Sequence, residues 1–127
     1  MALIIDLKPH EKIIIGSSLI TNNDHRARLN IEGDAPIMRE KDIMFEKDAN
    51  TPCKRVYLAL QLMYLAEDPK EMQETYFALV KDVQAAAPST APLFMQINDY
   101  VLDNKYYKAL KEAKKLISYE EELLANV

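Results

Sequence analysis

The stretch Asn50-Thr51-Pro52-Cys53-Lys54-Arg55-Val56-Tyr57-Leu58-Ala59-Leu60-Gln61-Leu62-Met63-Tyr64 is where the chain changes its period. Thr51 before Pro52 is a helix start: a hydroxyl to cap the free N–H groups, then a ring whose fixed φ suits the first helical position. Val56, Ala59, Leu60, Met63 and Tyr64 follow at i, i+3, i+4, i+7 and i+8, one apolar stripe of an amphipathic helix. Toward the C-terminus the same period recurs three times. Asp68-Pro69-Lys70-Glu71 opens a second helix with a proline at its first position and a capping box, and Met72, Tyr76, Leu79, Val80 and Val83 line its face. Pro88 with Ser89 and Thr90 breaks it. Pro92 opens a third helix, carrying Leu93, Ile97, Tyr100 and Val101. Asp103-Asn104 interrupts, and a fourth carries Tyr106, Leu110, Ala113, Ile117 and Leu124. Short connections predict a four-helix bundle, with Leu60 and Leu79 in its core.

Toward the N-terminus the period is two. Leu3-Ile4-Ile5-Asp6-Leu7 is a strand stopped by Pro9, Lys12-Ile13-Ile14-Ile15 a second ended by Gly16-Ser17, and Leu19-Ile20-Thr21 a third ended by Asn22-Asn23-Asp24. In Arg26-Ala27-Arg28-Leu29-Asn30-Ile31, Ala27, Leu29 and Ile31 share one face and Arg26, Arg28 and Asn30 the other, the mark of a half-exposed strand. Glu32-Gly33-Asp34 turns into a short last strand, Ala35-Pro36-Ile37-Met38-Arg39. The expected fold is therefore α+β: a small antiparallel five-stranded N-terminal sheet or barrel over residues 1–48, then the helical bundle over 49–127. About 45 residues are few for an independent barrel, so further core is expected from a second copy of the chain, giving a homodimer, or from the helices.

Composition excludes several classes of function. The chain has 127 residues, 49% hydrophobic and 28% charged, with only 2 glycines and 6 prolines. That is ordinary globular composition, neither disordered nor fibrous. No stretch approaches the roughly 18 apolar residues of a membrane span and no export signal opens the chain, so the cytoplasm is the expected location. The single cysteine, Cys53, can form neither an internal disulfide nor a thiolate zinc site. Net charge is −4, which disfavours generic binding to polyanions; neither DNA nor a membrane is an expected partner.

Enzyme motifs are missing as well. His10 and His25 lie in turn-like stretches among charges and read as surface histidines. Cys53 falls in the first turn of a helix, where the dipole lowers a thiol pKa, yet no partner stands beside it in the sequence. Glu120-Glu121-Glu122 reads as a solvated helix face; all seven tyrosines fall in the helical half, and Tyr64, Tyr76, Tyr100 and Tyr106 lie on its apolar stripes. No catalysis, metal or cofactor is expected.

What remains is a segregation of charge. Residues 1–55 hold nine basic and nine acidic side chains, with all four arginines, while residues 56–127 hold seven basic and eleven acidic ones and no arginine. Arginine suits bidentate recognition of phosphate and base edges. Arg26 and Arg28 on one strand face, Arg39 with Lys41, and Lys54-Arg55 would converge if the strands form one small sheet. The same residues also fit a solvated surface interleaved with acid.

Three blocks resemble the FlbT family of flagellar biosynthesis regulators. They are Leu7-Lys8-Pro9-His10-Glu11-Lys12-Ile13-Ile14-Ile15 with Ile20-Thr21-Asn22; Arg39-Glu40-Lys41-Asp42-Ile43-Met44; and the run from Ala49 to Leu65. The resemblance implies a post-transcriptional repressor that acts on the 5′ untranslated region of flagellin mRNA and favours its decay. The N-terminal part in turn resembles the carbon-storage regulator CsrA, through the run ending in Ile15-Gly16 and through Ala35-Pro36 followed by Arg39-Glu40 and Ile43. That resemblance implies short strands interleaved between two chains and an arginine at the end of the fifth strand that contacts RNA, the place held here by Arg39. Asp6 stands where a basic first-strand residue would be expected. The expected RNA-binding residues are Arg39, supported by Arg26, Arg28 and Lys41. A reading from another class is an adaptor whose helices hold flagellin or another flagellar protein.

Overall fold

A computed structural model describes residues 2–126. The chain is α+β, with five antiparallel strands followed by four helices. It divides into two compact units, with the boundary between Ile43 and Met44.

The first unit contains β1 (Ala2–Leu7), β2 (Lys12–Ile15), β3 (Ser18–Thr21), β4 (Ala27–Glu32) and β5 (Ile37–Arg39). All five expected strands are present, but they form two sheets. β1 pairs with β4 alone, and β2 lies between β3 and β5. Side-chain alternation fixes the inward face of each strand and leaves open which strand lies beside it, so the split could not be read from the strand pattern. In the two-stranded sheet Ile5 faces Leu29 and Leu7 faces Ala27. In the three-stranded sheet Ile13 stands between Ile20 and Arg39. Ile5, Leu7 and Ile13 are buried together, and Ile15, Leu29, Ile31 and Ile37 pack against them. The β2–β3 hairpin closes over Gly16-Ser17, where Gly16 has a φ of 62° that a side chain would resist.

Three connections cross between the sheets: β1 to β2, β3 to β4, and β4 to β5. Asn22 ties the first two together. Its side-chain nitrogen donates to the carbonyls of Lys8 at 2.9 Å and His25 at 2.8 Å. Its backbone N–H donates to the Glu11 carbonyl at 2.9 Å.

The second unit contains α1 (Pro52–Leu65), α2 (Lys70–Ala86), α3 (Ala91–Leu102) and α4 (Tyr106–Ala125). α1 packs against α2 and α4, and α4 against α3. The α1 start is as expected, with the Thr51 hydroxyl accepting from the Lys54 N–H at 3.3 Å. At α2 the expected capping box is not formed: Pro69 is the N-cap itself rather than the first helical residue and makes no side-chain cap bond, and the Asp68 carboxylate accepts from the Lys70 N–H at 3.3 Å just ahead of the helix. Val56, Leu60, Tyr76, Phe94, Ile97, Val101, Ala113 and Leu116 are among the residues sealed in the core. The Tyr76 hydroxyl meets the Asn98 side chain at 2.6 Å and so bridges α2 to α3.

Several expected core positions shift. Leu79 and Ile117 are only half-buried, and Leu124 is 61% exposed. Phe94 and Leu116 take the places expected of Leu93 and Ile117. In each of these adjacent apolar pairs the neighbouring helix selects which side chain enters.

The larger correction concerns Glu120. It is only 9% exposed, not solvated as its run of three glutamates suggested. One oxygen accepts from the Thr51 hydroxyl at 2.5 Å and the other from the Cys53 N–H at 3.0 Å. A carboxylate from α4 therefore satisfies the free donors at the start of α1 and sits where the helix dipole favours negative charge. Cys53 is corrected with it. Burial, then the hydrogen bond and negative charge of Glu120, push its thiol up to about 12, the opposite of the lowering expected from the helix dipole.

These placements yield two expectations. Leu60, fully buried, should lose about 2–5 kcal/mol on truncation to alanine, while Leu124→Ala should change stability by less than about 0.5 kcal/mol. Urea unfolding of both variants reads the difference, and equal losses would misplace the core. The Cys53 thiol also gives a pH signature. Between its ordinary 9.0 and about 12 the unfolded thiol ionises while the folded one stays neutral, so stability falls as pH rises through that window. Cys53→Ala should flatten that part of the decline, as measured by denaturant midpoint against pH.

Candidate nucleic-acid interface

The four expected RNA-binding residues, Arg26, Arg28, Arg39 and Lys41, all fall in the strand unit, around one cross-strand ion pair. Asp6 and Arg28 stand directly opposite in the β1–β4 register, on the face turned away from the core. Arg28 Nε donates to Asp6 Oδ1 at 2.9 Å. The guanidinium, held by that hydrogen bond and by the Asp6 charge, has its pKa raised further. Asp6 thus occupies the place of a basic first-strand residue and is itself engaged by an arginine.

Two surface depressions share Asp6. The smaller is lined by Arg26, Ala27 and Arg28 with Leu7. The larger, a cleft of about 790 Å³, is lined by Arg39 and Lys41, and from the β1–β2 connection by Lys8, Pro9, His10 and Glu11. Arg39 stands on the same face as Ile37 and opposite Ile13, and it is exposed there as the last residue of β5. A 3-10 turn over Glu40–Asp42 then carries Lys41 to the same cleft. The expected set is therefore divided, with Arg39 and Lys41 on one side of the Asp6–Arg28 pair and Arg26 on the other.

The cleft also contains carboxylates, and each is already occupied. Glu11 Oε1 accepts from the Lys8 N–H at 2.8 Å, and Glu40 Oε1 from the Lys12 N–H at 3.1 Å. Asp6 holds Arg28. Among the described residues no ion pair or hydrogen bond engages the side chains of Arg39, Lys41, Lys8 or Arg26. The acids thus serve backbone and arginine donors while the exposed cations keep theirs free, an arrangement that can accept phosphate oxygens or base edges.

Lys54 and Arg55 do not join this group. They lie on α1 in the helical unit, Arg55 exposed and Lys54 Nζ 3.5 Å from Asn50 Oδ1. Lys8 and His10 are the residues that sequence reasoning missed. Pro9 drew attention as a strand stop, which concealed that the turn after it lies beside the end of β5. The pairing of β2 with β5 brings them there, and it is not written in either strand alone.

The helical unit has a cleft of its own, about 320 Å³ and mostly apolar, between the α1 start and the ends of α2 and α4. Leu123, Leu124 and Val83 line it, and Glu120 and Cys53 form part of its wall. Among the described residues no group of three or more His, Cys, Asp or Glu side chains is placed to hold a metal ion. No helix among them is long and apolar enough to cross a membrane.

Residues 3–124 match the sequence model of a family described as "Flagellar protein FlbT". A protein of Bradyrhizobium diazoefficiens named "Probable flagellum biosynthesis repressor protein FlbT 1" is 55% identical over 97% of this chain and 85% of its own length. One from Rhodopseudomonas palustris named "Probable flagellum biosynthesis repressor protein FlbT" is 46% identical over 98% of this chain and 99% of its own. "Flagellum biosynthesis repressor protein FlbT" of Caulobacter vibrioides is 33% identical across 100% of this chain and 92% of its own. No solved structure matches the chain. The match spans both the strand unit and the helical unit, and the chain belongs to the FlbT family of flagellar proteins.

Proposed function

We propose that this protein represses flagellum biosynthesis after transcription, by binding the 5′ untranslated region of flagellin mRNA in the cytoplasm and favouring its decay. The relatives' name as flagellum biosynthesis repressors supports the repressor role. The observation that carries the RNA reading is the cleft in which Arg39 and Lys41 stand free while the nearby carboxylates are engaged. The strand unit has no diffuse basic field, so recognition rests on a few aimed side chains. Single-stranded RNA exposes base edges and phosphates that such groups can hold without entering a groove. Arg39 is the central contact, with Lys41 beside it, Arg26 flanking, and Arg28, already paired with Asp6, the weakest contributor. The protein needs no catalysis of its own; occupying the leader, or exposing it to a cellular nuclease, is sufficient.

The protein acts as a homodimer in this reading. Leu3, Ile4, Leu19 and Ile20 are exposed at 47%, 63%, 53% and 38%, much apolar surface for so small a strand unit. β1, β3, β4 and β5 each leave one edge unpaired, where a second copy could add. Light scattering at micromolar concentration should give twice the chain mass, and a stable monomer would remove this part of the proposal. One observation favours a second reading, the adaptor: α3 turns Met95 and Leu102 to solvent at 69% and 68% exposure, a face suited to another protein.

Titration of the purified protein with leader RNA, scrambled RNA and flagellin separates the two readings. With about three or four phosphates neutralised, the slope of log K against log salt should be about −2 to −3. Arg39→Ala should lose about 1–3 kcal/mol of leader binding and with it sequence preference, whereas Arg26→Ala should weaken all RNAs alike. Equal binding of leader and scrambled RNA by the wild type, with tight binding of flagellin, would replace the RNA reading by the adaptor.

A further inference from the structure

The turn that faces Arg39 across the cleft has an unusual backbone. His10 sits at a φ of 65°, in the left-handed region. Histidine enters that region more often than most side chains, but at a cost that glycine would avoid. Hydrogen bonds hold the turn in this conformation nonetheless. The His10 N–H donates to the Asn23 carbonyl at 3.0 Å, the Glu11 N–H to the Lys8 carbonyl at 3.1 Å, and Asn22 also holds the Lys8 carbonyl. With these backbone groups satisfied, what the turn offers the cleft is its side chains. The imidazole stays 73% exposed, with Nε2 3.6 Å from Asp24 Oδ1. The Lys8 ammonium has no carboxylate partner among the described residues.

We propose that this turn is the second wall of the nucleic-acid site, where the His10 imidazole stacks on an unpaired base and the Lys8 ammonium holds an adjacent phosphate. The assignment rests on the RNA reading above and adds a contact class to it. Arg39 reads an edge, whereas an exposed imidazole offers a ring face, which any unstacked base can cover. The fixed φ of Pro9 and the left-handed His10 aim the two side chains at the same cleft.

Two substitutions test it with leader RNA and a scrambled single strand of equal length. His10→Gly removes the ring and relieves the backbone, so the thermal midpoint should hold or rise while binding of both RNAs weakens about tenfold. Lys8→Ala should weaken both about threefold and make the salt slope shallower by about 0.7, the share of one phosphate. Binding and stability moving in opposite directions for His10→Gly is the decisive result, since a merely structural histidine would lose both together. If His10→Gly lowers the midpoint along with binding, or leaves binding intact in a wild type that binds, the platform is wrong and the RNA reading stands. If the wild type binds neither RNA, the RNA reading falls and takes this assignment with it.

Discussion

Asn22 joins the two connections that run between the sheets at one end of the strand unit, its side-chain nitrogen donating to the Lys8 and His25 carbonyls. A two-stranded sheet has little stability alone, and a short three-stranded one not much more. Among the described residues the apolar contact between the two is made by Ile5, Leu7, Ile13 and a rim of half-buried aliphatics. That contact is non-directional and would tolerate sliding of one sheet over the other. Hydrogen bonds from one side-chain amide to carbonyls on two crossing segments are directional, and they fix how the sheets meet. The same bonds set the Lys8–Glu11 turn, so the site geometry and the fold share one fastening.

Much of this architecture could be read from the residues before any coordinates. β2 lies where its β-branched run predicted, and α1 begins at the threonine and proline that predicted it. These are local matters, decided by turn chemistry and propensity within a few residues. The partition into two sheets was hidden because pairing partners lie outside the strand that chooses them. The role of Asn22 was hidden for the same reason: in sequence it is one turn residue among three. Glu120 was read as solvent-facing because two more glutamates follow it. Helical rotation places one of the three toward Thr51 and Cys53, and a charge run does not reveal which.

The candidate site was legible in kind and less so in arrangement. Alternation along β4 turned Arg28 outward, as the structure has it, whereas Arg39 was singled out by resemblance and is exposed at the end of β5. It did not show that Arg28 faces Asp6 and is thereby withdrawn into an ion pair, while Arg39 is left free. An exposed pair of this kind contributes little stability, because water screens it. Its effect is on availability: with Arg28 committed, the unengaged arginine beside Lys41 is the one at the end of β5. A net count of charges, which is balanced over this half of the chain, would never distinguish the two.

The clasp of Glu120 on the start of α1 has a kinetic side. Thr51 and Cys53 lie 69 and 67 residues away in sequence from the carboxylate that serves them. Closing so long a loop is entropically costly, whereas α1 with α2, and α3 with α4, can meet through short connections. Chain entropy therefore favours the helical hairpins forming ahead of the α1–α4 seam. A contact made that late contributes little to the speed of folding and much to the slowness of unfolding. Loss of the Glu120 carboxylate is therefore expected to quicken unfolding of the helical unit more than it slows folding.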